Sequence, residues 1–196
     1  LVAAVLTYDL DSSFFVGTGA GMPMGLINAS SAITVNKLSG QSADTILYEN
    51  ILEMYARLHP QCAPNAVWFA SPSCTPQLAM MAFDRSATEK VPVYLPANGA
   101  ADSPFATLMG RPLITTEFQP AIGDKGDLIL VDLTKYGVAM KPAMSLDRSE
   151  HRYFETDEVA LRGKIRCDAR PLWSEVHTPR NDQAWTLGWN IQLEAR

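Results

Sequence analysis

Cysteine is scarce in this chain. Cys62, Cys74 and Cys167 are the only three in 196 residues, and their spacing matches neither a disulfide framework nor a CxxC zinc pair. A reduced, intracellular origin is the expectation. Long apolar runs are missing as well: none approaches the roughly 18 to 20 residues that cross a bilayer, and the first apolar segment is interrupted by Asp9 and Asp11. No membrane partner is expected. Cations are not in surplus, since 16 Lys and Arg stand against 21 Asp and Glu and leave a net charge of −5. That balance gives no broad basic field for holding nucleic acid, so any contact with DNA is expected to be weak or local.

Groups that carry catalysis are also thin. His59, His151 and His177 lie on separate segments, without a second His or Cys at zinc-finger or HExxH spacing. His59 stands beside the helix-ending Pro60 and is read as a cationic C-terminal cap favoured by the helix dipole. His151, among charged neighbours, is read as pointing to solvent. There is no GxSxG elbow. Cys74, in SPSCTP, is the one thiol near a helix start, where a thiolate would be stabilised; its simpler reading is a small buried residue. Glu155, Asp157 and Glu158 lack the alternating ligands of a calcium loop and read as a solvated turn. No catalytic residue, metal or cofactor is expected.

What the chain does have is apolar content, 47% of residues, enough for one or two domains with a real core. Val2, Val5, Leu6, Leu10 and Phe14 recur at helical spacing and mark residues 1–15 as a helix with one buried face. The chain opens at Leu1, without an initiator Met and inside this helix, from which a missing N-terminal region is inferred. Asp44 is placed as the N-cap of a helix over 45–59, with Leu47, Ile51, Met54, Tyr55 and Leu58 facing the core. A further helix is expected near residues 77–83. Residues 66–70, AVWFA, form a short apolar run suited to a buried strand, and the runs starting at residues 111, 127 and 136 read as three more strands. Residues 159–167 read as one long strand. Its alternation sets Val159, Leu161, Ile165 and Cys167 on one face and Arg162, Lys164 and Arg166 on the other. Trp173, Trp185 and Trp189 are packing anchors for a last strand near 189–193. Helices and strands are interspersed without a βαβ cadence, so the class is α+β.

The loop over residues 17–25, GTGAGMPMG, is the one place to suspect a nucleotide. It ends in Met-Gly-Leu where a phosphate loop needs Gly-Lys-Ser/Thr. A helix precedes it where a dinucleotide fingerprint needs a strand. Gly17, Gly19, Gly21 and Gly25 are therefore read as a hinge loop.

The order of these motifs resembles one family. A helix, the GTGxGxPxG loop, a buried strand with its SP turn, TLMGRPLITTE, GDLILVDL and RYFETDEVALRGKIRCD follow one another as in the Hong Kong 97-type major capsid proteins of tailed phages. The likeness spans about residues 8–170. It implies an axial domain inserted in an elongated peripheral domain. On this chain residues 1–26 would end the peripheral spine helix and its loop, 27–142 form the axial domain, 143–171 return through the peripheral domain's long strand, and 172–196 rejoin the axial region. The family's N-terminal arm and extended hairpin have no counterpart here.

The resemblance further implies a structural coat protein that assembles as hexamers and pentamers into an icosahedral head around double-stranded DNA. The protein would act in the virion after assembly in the host cytoplasm, with scaffold, portal and decoration proteins as further partners. Some members cross-link a hairpin lysine to a peripheral-domain asparagine; here Tyr153 and Phe154 occupy that neighbourhood and the nearest Asn is remote, so cross-linking is not implied. The basic row Arg162, Lys164 and Arg166 becomes a candidate subunit interface, against the simpler reading of a solvated face. An encapsulin-like compartment shares the fold and ranks second. An α+β enzyme with no linear motif ranks third, and a tail or decoration protein fourth.

Overall fold

A computed structural model describes residues 2–86, 89–96, 105–141 and 145–196. The expected domain boundary at 142 and 143, and part of the loop expected before Thr107, lie outside the described residues. Among the described residues three α-helices are present: α1 (Val2–Val16), α2 (Tyr48–Ala56) and α3 (Thr75–Met80). The strands are β1 (Ile33–Val35), β2 (Val67–Ala70), β3 (Ala82–Ser86), β4 (Glu89–Pro92), β5 (Tyr94–Leu95), β6 (Ala106–Leu108) and β7 (Arg111–Thr115). They continue with β8 (Leu128–Val131), β9 (Tyr136–Met140), β10 (Ser145–Tyr153), β11 (Glu158–Lys164), β12 (Cys167–Pro171) and β13 (Asn190–Leu193).

Seven strands make the central sheet, in the order β1-β13-β8-β2-β7-β6-β5. Its middle is set by hydrophobicity. All four residues of β8, Leu-Ile-Leu-Val, are buried on both faces, and β2 beside it carries the buried Trp68, Phe69 and Ala70. Side chains of this size contribute about 1.5–3 kcal/mol each when fully buried, so this run takes the centre of the sheet. Trp68 is tolerated there because its indole N–H donates to the Leu108 carbonyl at 3.0 Å. The sheet is mixed, with β2 parallel to β7 and β1 parallel to β13.

β13 is buried although two of its four residues are polar. Asn190 and Gln192 donate to the carbonyls of Leu26 and Ile27 at 2.7 and 3.2 Å, and the Trp189 indole donates to the Ser31 hydroxyl at 2.9 Å. These bonds engage the buried donors, leaving Asn190 Oδ1 and Gln192 Oε1 without a partner among the described residues, and fasten segment 26–31 over the strand.

Several expectations need correction. Asp44 does not cap α2: it adopts a left-handed turn (φ 54°), and the helix begins after Leu47, whose N–H donates to Asn50 Oδ1 at 3.0 Å. α2 ends at Ala56, three residues before His59. The helix after β2 starts at Thr75, with Pro76 in its first turn, and stops at Met80; Phe83 belongs to a strand. On α1 the apolar stripe is not a closed core face, because Val5 is exposed. The long strand expected over 159–167 breaks at residues 165 and 166. β11 pairs with β10, and β12 turns away to pair with β9.

Candidate functional site

Outside the sheet, β10 and β11 stand as a two-stranded antiparallel hairpin. Every residue of β10 is exposed. Pairing Asp147 with Arg162 and Arg148 with Leu161 puts alternate residues on opposite faces. One face carries Leu146, Val159 and Leu161, exposed by 57%, 47% and 59%, together with Arg148 opposite Leu161. Val159 and Leu161, expected on the apolar face of the strand, are therefore uncovered in the single chain. The other face carries Asp147 between two cations: Lys164 Nζ lies 2.9 Å and Arg162 Nη2 3.4 Å from Asp147 Oδ2. The Lys164 hydrogen bond, followed by its charge, holds the Asp147 carboxyl below the usual range.

The basic row is thus divided. Arg162 and Lys164 converge on Asp147 of the same chain, while Arg166 sits exposed in the break between β11 and β12, its carbonyl accepting the Lys141 N–H at 2.9 Å. Asp147, the acid that organises the cluster, was not singled out in the sequence. Its signal was there only in the register, since β10 is so polar (SLDRSEHRY) that no alternation marks it as a strand. At the hairpin tip Glu155, Asp157 and Glu158 are exposed, with Asp157 in a left-handed turn (φ 54°).

The glycine loop is built around the end of α1. Helix ends leave carbonyls without partners, and here they are supplied from across the loop. The N–H groups of Leu26 and Ile27 donate to Phe14 and Phe15 at 2.9 and 3.1 Å, and the Asn28 amide donates to Val16 and Gly17 at 2.9 and 3.2 Å. Gly17 and Gly25 allow this approach: a Cβ on Gly17 would lie 2.2 Å from the Pro23 carbonyl oxygen, and one on Gly25 2.5 Å from the Gly17 nitrogen. Gly19 and Gly21 supply positive φ, 79° and 74°. Met24 donates to the Ala169 carbonyl at 2.9 Å and accepts from the Tyr136 hydroxyl at 2.6 Å, so the loop also reaches β12 and β9.

The Cys62 and Cys74 thiols and the His59 imidazole are all shifted toward their uncharged forms. Burial, reinforced by Asp132, pushes the Cys62 thiol up to about 12; burial and then Asp127 push Cys74 up to about 12. A thiolate at either place is disfavoured. His59 is not a cationic cap: burial first, then His177 and Lys135, lower its proton affinity. His151 is exposed. Among the described residues no cluster of three or more His, Cys, Asp or Glu could hold a metal, and no helix is long and apolar enough to cross a membrane.

With this geometry in view, the architecture has counterparts among solved shells. The capsids of an empty and a native GTA particle match with TM-scores of 0.72 and 0.71 at 16% identity, over 100% of this chain and 64% and 63% of theirs. A satellite phage P4 procapsid that includes size determination (Sid) protein matches with a TM-score of 0.50 at 9% identity, over 98% of this chain and 65% of that one. The fold is therefore the Hong Kong 97-type capsid fold, in an α+β chain that spans less than two thirds of the solved capsid chains it matches. The model of the phage capsid family matches residues 2–175, and the chain belongs to that family. No curated protein matches it in sequence.

Proposed function

We propose that the chain is the larger part of a major capsid protein whose copies assemble as hexamers and pentamers into an icosahedral head around double-stranded DNA. Its role is structural and not enzymatic. It works in the virion after assembly in the host cytoplasm, with scaffold, portal and decoration proteins as its further partners and only weak or local contact with DNA. Residues 27–142 act as the axial domain, 143–171 as the peripheral return and 172–196 as the segment that rejoins the axial region. The loop of Gly17, Gly19, Gly21 and Gly25 is the hinge between α1 and the axial domain, with the bending placed at Gly19 and Gly21.

One observation carries the reading. A two-stranded hairpin is marginal by itself in water, yet β10 and β11 expose an apolar face and a charged face together. Repeated contact with another copy covers the first and uses the second, with Arg162, Lys164 and Arg166 fixing register against acidic groups of that copy. The test is electron microscopy of the full-length protein beside its Leu146→Glu, Leu161→Glu double variant. Closed particles for the first and unassembled subunits for the second are expected; equal yields would remove the hairpin from assembly. Nucleic acid inside the particles supports a virion head, and protein cargo would make it a compartment.

A further inference from the structure

The segment between Trp173 and Gly188 crosses the end of α2 and closes on itself. His177 and Leu187 exchange both backbone hydrogen bonds, each 2.8 Å, so residues 178–186 form a loop with a sealed neck. Two groups of side chains hold it down. The Arg57 guanidinium lies 4.0 Å from the centre of the Trp185 ring and donates to the Thr186 hydroxyl at 3.1 Å. On the other side Trp173 packs against both imidazoles, with centroids 5.3 Å from His59 and 4.4 Å from His177, and the imidazoles are 5.3 Å apart.

The contact at His59 suits a neutral ring, while His177 is exposed. His59 Nδ1 accepts the Gln61 N–H at 3.2 Å, a bond that a proton on that nitrogen would remove. The groups bearing on His59 are His177, from the loop, and Lys135, from the turn before β9. Arg57, from α2, is engaged by Glu53 at 3.6 Å. Asp132 lies against the Cys62 thiol and accepts from the Thr134 N–H and hydroxyl at 3.0 and 2.7 Å. Within the loop, Asp182 accepts the Ala184 N–H at 3.3 Å, and Glu175 is exposed. The face of Trp173 could stabilise a cation, but Lys135 already stands 5.2 Å from its centre. A further positive charge on His59 would meet that cation here.

We propose that residues 173–187 form an acid-opened clasp: neutral His59, packed against Trp173 and His177, holds it onto the end of α2, and protonation of His59 frees the 178–186 loop while the central sheet stays folded. The sign follows from His59, whose folded form binds its proton less readily than the unfolded chain. The contact is complete above the ordinary histidine range and is lost as pH falls below it. Opening uncovers the end of α2 and Trp185. It is a property of the single chain, so it can fail without touching the assembly reading.

Amide hydrogen exchange followed by NMR on the 196-residue chain, at pH 7.5 and 5.0 and corrected for intrinsic rates, tests it. The His177 and Leu187 amides should lose protection by about tenfold or more at the lower pH, while β8 and β13 amides keep theirs. In His59→Gln, whose side chain does not titrate, protection at the neck should be the same at both pH values. Unchanged protection in the wild type would overturn the clasp. So would loss that spreads equally to β8 and β13, or an undiminished acid response in His59→Gln.

Discussion

Arg196 and Asp127 form an ion pair whose side chains are 1% and 0% exposed. Arg196 Nη1 donates to Asp127 Oδ1 at 3.2 Å, the Gly123 N–H donates to Oδ2 at 3.0 Å, and the Arg196 N–H donates to the Gly123 carbonyl at 2.7 Å. The pair locks the chain beyond β13 to the turn before β8. Removing one partner strands a charge in the interior, which costs about 3–5 kcal/mol. Arg196→Met should therefore lower the urea midpoint sharply. A variant that unfolds at the wild-type midpoint would show that Asp127 finds other compensation.

The glycine loop separates two effects. Gly21 has open space around its missing Cβ but a φ of 74°, so Gly21→Ala should cost about 1–2 kcal/mol. Gly17→Ala would drive a methyl against the Pro23 and Ser13 carbonyl oxygens, and should cost more, about 3 kcal/mol. Thermal melts of the two variants check the order. The reverse order would mean that the close packing of α1 on its loop is not maintained in solution.

Thiol accessibility follows burial. Cys62 and Cys74 are fully buried and held protonated, while Cys167 is half-buried, its thiol raised by burial and then by Asp168. At pH 8 a chromogenic disulfide reagent should label Cys167 alone, slowly, and reach all three only in denaturant. Fast labelling of Cys74 in the native chain would reopen its reading as a nucleophile.

Legibility in the sequence tracked how local each signal was. β2 and β8 were visible because their apolar runs are continuous, β7 through its Leu113-Ile114-Thr115 end, and Cys74 was correctly read as buried. β13 was visible through Trp189, but its place between β1 and β8 depends on partners more than 50 residues away in the chain. β10 was invisible because its stabilising partner is β11 and not an apolar face of its own. His59 was misread because a nearby proline suggests a helix end, whereas Trp173, His177 and Lys135 arrive from distant segments and reverse the electrostatics. The basic row looked continuous by period two; the turn at 165 and 166 and the cross-strand Asp147 divide it.

Charge reversal on that row should leave folding intact. Arg162→Glu with Arg166→Glu keeps the Lys164–Asp147 bridge, and both altered residues are exposed, so the melting temperature should move within the small range of surface substitutions, about 0.5 kcal/mol. Assembly of the full-length protein should fail or become strongly salt-dependent. Wild-type particle yield with unchanged salt response would leave the row as a solvated face.

The central claim, that the exposed hairpin is completed by another copy in a closed shell, is tested most directly by a cryo-electron microscopy map of particles formed by the full-length protein. The account predicts icosahedral particles in which Leu146, Val159 and Leu161 are covered by a neighbouring subunit. Particles in which those three side chains face solvent, or a full-length protein that forms no particles under any assembly condition, would contradict it.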